Sequence, residues 1–217
     1  MSPNLIRILI GWDGLGISSY LLVIYYRSSK SYNSGIVTML SNRVGDALII
    51  VRLCYCIALP SLNLPHLNFI FNEHYFIILF ILIIASITKR AQIPFRAWLP
   101  AAIAAPTPVS SLVHSSTLVT AGVYLMFRLE GLLIFINLRN ILLIIGSLTI
   151  LIARLRAFFE IDIKKIVALS TLRQLGVIIS AIGAGFRVLG FFHLLAHAFF
   201  KALLFVRTGN LIHGSES

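Results

Sequence analysis

Seven ionisable side chains, Asp13, Asp46, Lys89, His114, His193, His197 and Lys201, lie within or against long apolar runs of this chain. Charged groups in apolar helices cost several kcal/mol, face a bundle interior or a water-filled cavity, and mark routes for protons or ions. Lys89 is the most expensive of them. It follows the run YFIILFILIIASIT (Tyr75 to Thr88) and precedes a stretch broken by Pro94, Pro100, Pro106 and Pro108. Prolines free backbone groups, which membrane depth tolerates only where protein or water satisfies them. A lysine beside such a break reads as part of an ion pathway rather than as an anchor.

His193, His197 and Lys201 recur at i, i+4 and i+8, so they stack on one helical face over about 12 Å. Histidine gains and loses a proton near neutral pH, which suits a relay. Two histidines at this spacing also suit zinc, but no HExxH glutamate or third ligand stands near, so no metal is expected. His114, in VHSSTLV, reads equally as a core histidine bonded to a neighbouring hydroxyl. Arg43 and Asp46, at i and i+3, form a possible structural ion pair on a helix surface. Asp13 sits in GWDGLG, whose glycines also permit close helix packing. No strand precedes that motif, so a dinucleotide fingerprint is excluded. Lys164 and Lys165 follow the polar turn EIDIKK and serve equally as interfacial anchors.

The elements that must hold these groups are membrane helices. Of 217 residues, 59% are hydrophobic and 12% charged, against about 25% charged in soluble domains. The mean hydropathy is +0.96. We expect an all-α, polytopic transmembrane bundle forming a single domain over residues 1–217, with about seven helices. They run near Leu5–Tyr26, Ile36–Leu59, Tyr75–Lys89, Val109–Phe127, Asn140–Phe159, Ile166–Gly185 and Val188–Ile212. The third is discontinuous between Lys89 and Pro108, with a break near Gln92 to Pro94 and a short amphipathic piece, AWLPAAIAA, beyond it. Proline at 106 and 108 suits the first turn of the fourth helix, and Asp162 is placed to cap the sixth. No cleavable signal is expected at Met1. The net charge of +11 is scattered, without a basic stripe or terminal cluster, so no nucleic-acid partner is expected. Cys54 and Cys56 suggest packing residues rather than a disulfide framework.

Several segments together carry a family resemblance: GWDGLGISSYLLVIYY, SNRVGDA, TKRAQIPFRAWLPAAIAAPTPVSSLVHSSTLVTAGVYL, DIKKIVALSTLRQLG and FFHLLAHAFFKALLF. They resemble the antiporter-like subunits of respiratory complex I, over nearly the whole chain. The resemblance implies an internal fragment of a longer proton-translocating subunit of the mitochondrial inner membrane. It implies quinone reduction coupled to pumping, with other membrane-arm subunits and the lipid bilayer as partners. It also implies that NADH, FMN, iron–sulfur clusters and ubiquinone act in other subunits, with no cofactor in this chain. By motif match, Asp13 takes the acidic position paired with Lys89, and His114 a relay position after that lysine. His193, His197, Lys201 and Lys164 fall on the polar axis. A related cation/proton antiporter subunit of Mrp type is one alternative, and an inert membrane segment translated from a nuclear copy of mitochondrial DNA is the other.

Arg7, Arg90, Arg96 and Arg173 stand where invertebrate relatives of this family typically carry serine. Only 3 methionines occur, and Ile103 occupies a position where relatives have methionine. Translation of a mitochondrial gene with the standard code would produce both departures, writing AGA and AGG as arginine and ATA as isoleucine. As a hypothesis this predicts AGA or AGG codons at positions 90, 96 and 173; CGN codons there would refute it.

Overall fold

The computed structural model describes residues 5–57, 74–111, 117–133 and 138–216. Seven long helices are found among them: α1 (Leu5–Val23), α2 (Ser29–Ile57), α3 (His74–Lys89), α6 (Leu118–Leu133), α7 (Leu138–Phe159), α8 (Ile163–Gly183) and α9 (Arg187–Glu216). Between α3 and α6 lie the short α4 (Trp98–Ala101), a 3-10 turn at Ala102–Ala104, and α5 (Thr107–Val109). The chain is thus an all-helical transmembrane bundle with one interrupted helix. Among the described residues, four helices are long and apolar enough to cross a bilayer, within Ile6–Val23, Leu138–Phe159, Ile163–Gly183 and Arg187–Ile212.

Helix ends follow local chemistry. The polar stretch SKSYNSG, which lies ahead of the start near Ile36 expected for the second helix, is instead the first two turns of α2. The reason is Ser28, whose Oγ accepts from the Ser31 backbone N–H at 3.1 Å and whose carbonyl accepts from Tyr32 at 3.0 Å, as an N-cap does. Asp162 occupies the N-cap position of α8 but caps nothing with its side chain. Its carboxylate pairs with Lys165 at 2.7 Å instead. Pro108 sits in the first turn of α5, as its fixed φ favours.

The break after Lys89 begins nearly a turn earlier than Gln92, and its geometry explains why. The Ala91 N–H bonds to the Thr88 carbonyl and the Gln92 N–H to the Ile87 carbonyl, each at 3.3 Å. That bond pair is a Schellman closure with Ala91 at the left-handed position, φ 54°. The same closure ends α8, where Gly185 takes φ 90° and bonds to Ile182, while Phe186 bonds to Ala181. Glycine adopts that conformation freely; alanine gives up about 1–2 kcal/mol. Strain of this kind persists only where neighbours over-determine the backbone. Here the Trp98 indole N–H donates to the Thr88 carbonyl at 2.9 Å, fixing the freed end of α3.

Packing places α3 against α2 and α6, α1 against α2, and α8 between α7 and α9. Helices in lipid gain little from apolar burial, so close backbone approach by small residues carries the packing. Gly176 of α8 is one such close approach, against α7. A Cβ there would stand 2.7 Å from Thr149 Oγ1, 2.8 Å from Ile150 Cγ1 and 3.0 Å from the Gly146 carbonyl oxygen, all on α7. Gly176→Leu is therefore expected to destabilise the bundle by about 1–3 kcal/mol, measured as a lowered thermal midpoint in detergent. A midpoint equal to that of the unsubstituted protein would show that α7 and α8 are not held this closely.

Candidate functional site

Three helices bring one group of charges together. Lys89 ends α3 and is 1% exposed. A cation in the last turn of a helix is favoured by the helix dipole. Its Nζ donates to the Trp12 carbonyl at 3.1 Å and lies 5.2 Å from the centre of the Trp12 ring. From α1, Asp13 turns toward α2, where its Oδ1 meets Arg43 Nη1 at 3.0 Å. Arg43 also reaches Asp46 Oδ2 at 3.7 Å. Asp46 and Asp13 are both electrostatic neighbours of Lys89.

Two sequence expectations change here. The Arg43–Asp46 pair forms at its i, i+3 spacing, but not as a surface pair. Asp46 is 4% exposed, because α2 turns this residue inward, whereas Arg43 remains half-exposed. Asp13, matched to Lys89 by motif, has its closest ion pair with Arg43, and the two residues do not make an ion-pair contact in this conformation. Asp13, Asn42, Arg43 and Asp46 line a common cavity of about 250 Å³, together with Gly16, Ile17, Tyr20 and Met39 among others.

A second polar group joins α8 to α9. His193 and the Gln174 Oε1 are 3.0 Å apart, and Lys201 Nζ donates to Ser170 Oγ. His197 lies between them, 5% exposed, with no hydrogen-bond partner for Nε2 among the described residues. The i, i+4, i+8 row thus faces α8, and α8 answers with its own i, i+4 polar pair. Lys164 lines a different cavity, of about 650 Å³, formed by the α7–α8 turn with Lys30, Ser34, Pro100 and Ala101. In that turn a hydrogen bond from Lys165 holds the exposed Asp162 carboxyl below the usual carboxylate range. His114 lies outside the described residues.

Trp12, Asn42, Ser170 and Gln174 escaped the sequence reading. Ser170 and Gln174 carried a legible signal, polar residues one helical turn apart in a span facing a titratable row. Trp12 did not, because a tryptophan in an apolar helix has the same letter whether it packs or binds a cation. Arg90 is a different case. It is fully buried, donates from Nη2 to the Gly122 carbonyl at 3.0 Å, and leaves Nε and Nη1 without partners among the described residues.

Fold and site together define a polytopic helical membrane protein with ionisable groups enclosed between its helices. Residues 2–217 match the family described as NADH:quinone oxidoreductase/Mrp antiporter, TM, and the chain belongs to that family. Among its relatives, the NADH-ubiquinone oxidoreductase chain 5 of Locusta migratoria is 53% identical over 98% of this chain and 38% of its own length. The protein of the same name from Anopheles arabiensis is 52% identical over 100% of this chain and 57% of its own length. The chain thus spans well under two thirds of the relatives it resembles. A chain of the Mrp complex from Dietzia sp. DQ12-45-1b shares the fold at TM-score 0.92 and 27% identity, covering 98% of this chain and 25% of that one.

Proposed function

We propose that this chain is part of a proton-translocating membrane subunit of NADH:ubiquinone oxidoreductase, in the mitochondrial inner membrane beside other membrane-arm subunits. NADH, FMN, iron–sulfur clusters and ubiquinone act elsewhere in that complex, and this chain contributes charge movement. The observation that carries the reading is Lys89, a buried ammonium where α3 is cut short, with Asp13, Arg43 and Asp46 around it. An ammonium is held by a nearby carboxylate and gives up its proton more readily when the carboxylate withdraws and desolvation dominates. Shifting the charges among Asp13, Arg43 and Asp46 is a way to switch Lys89 between those conditions. His114, His193, His197, Lys201 and Lys164 extend the route as relay groups.

The test is proton translocation by the intact complex in sealed vesicles, followed with a pH-sensitive dye during NADH oxidation. Lys89→Met is expected to abolish dye response attributable to this subunit while the complex still assembles. Full pumping by the assembled Lys89→Met complex would end the reading. Sodium-dependent transport in the same vesicles would favour the Mrp-type alternative.

A further inference from the structure

We propose that Trp12 is a positioning residue whose indole face and main-chain carbonyl form a second resting place for the Lys89 ammonium, occupied while Arg43 holds the Asp13 carboxylate. This deepens the reading of Lys89 as a proton carrier and rests on it.

The arrangement of α1 makes the case. Trp12 and Gly16 are one helical turn apart and face Lys89; Asp13 is rotated by about 100° toward α2. Lys89 Nζ is bound to the Trp12 carbonyl at 3.1 Å and stands 5.2 Å from the ring centre, inside the roughly 6 Å reach of a cation–π contact. That contact is strongest where water is excluded, and Trp12 is 2% exposed. The indole N–H is buried without a hydrogen-bond partner among the described residues. Leaving an N–H bare is unfavourable, so Trp12 is not kept here for its hydrogen bond. What it offers Lys89 is the ring.

Gly16 supplies the way across. A Cβ at this residue would lie 3.4 Å from Lys89 Nζ, and Gly16 also lines the cavity that holds Asp13 and Asp46. The ammonium therefore borders the carboxylate cavity over Gly16, which has no side chain to obstruct it. Two positions follow for one cation: over Trp12 when Arg43 occupies Asp13, and toward the carboxylates when Arg43 lets go. Arg43 competes with Lys89 for Asp13, and Trp12 keeps the displaced ammonium out of hydrocarbon.

The experiment compares Trp12→Phe with Trp12→Met in the intact complex, alongside Lys89→Met. The two replacement side chains are similar in size and apolar, and only phenylalanine presents a π face. Protons translocated per NADH oxidised are measured for assembled complex. Trp12→Phe is expected to keep most of the coupling. Trp12→Met is expected to lower occupancy of the resting place roughly tenfold and to uncouple pumping from NADH oxidation. Equal coupling in the two variants, whether both retained or both lost, overturns the proposal. If Lys89→Met pumps normally, the parent reading fails and the proposal with it. Loss in Lys89→Met with equal Trp12 variants leaves the parent reading standing alone.

Discussion

Replacing Arg90 with serine is expected to raise the stability of this chain by about 0.5–2.5 kcal/mol, the net of two opposed effects. A cation placed deep in an apolar helix costs about 2.5–3.5 kcal/mol on insertion scales. Arg90 has no exposed surface and no ion-pair partner among the described residues, and its one hydrogen bond leaves two nitrogens bare. A buried charge of this kind is what makes breaking an ion pair so damaging, and here the pair is missing from the start. Against this gain, serine leaves a cavity and removes the bond to the Gly122 carbonyl, together worth about 1–2 kcal/mol. The sign stays positive because the removed cation outweighs the lost packing. A higher thermal midpoint of Arg90→Ser in detergent checks it, and a lower midpoint would mean that Arg90 is satisfied in the folded chain. The same variant bears on the gene: an AGA or AGG codon at position 90 would make serine the residue that a mitochondrial ribosome inserts.

The fold was readable because each of its long apolar runs had a reason to be helical and a marked end. Lys89 followed by four prolines announced an interrupted helix, and the interruption is there. What the letters hid was the turn that closes it. Ala91 in a left-handed conformation has no sequence signature, since glycine is the residue that normally marks such a position. Gly185, which carries that mark, closes α8 in the same way. The α2 start was missed for the opposite reason, a polar stretch that looked like loop yet held a capping serine. Within the site, helical spacing was enough to align His193, His197 and Lys201, because one helix determines their relation. It could not set the partners of Asp13, which depend on how α1 and α2 rotate against each other. That rotation puts Arg43, not Lys89, in contact with the carboxylate.

The rotation also ranks the two carboxylates. Asp46→Asn is expected to impair proton translocation far more than Asp13→Asn. Asp46 is enclosed, with Oδ1 lacking a hydrogen-bond partner among the described residues, and it faces both Arg43 and Lys89. Asp13 is 39% exposed at its side chain and is held by an arginine that is itself 47% exposed. Water and relaxation weaken a pair of that kind to about 1 kcal/mol or less. Removing one member of an enclosed charge group costs about 3–5 kcal/mol, because the buried Lys89 left behind loses a counter-charge where no solvent replaces it. With Asp46 neutral, Lys89 and Arg43 compete for Asp13 alone, and one of two cations is always left without a carboxylate. Converted to rate, that difference is on the order of a hundredfold or more. NADH-driven acidification by assembled complexes carrying each variant measures it. If Asp13→Asn proved the more damaging, the half-exposed carboxylate would be the one that governs Lys89, and α1 would have to turn it inward during the working cycle.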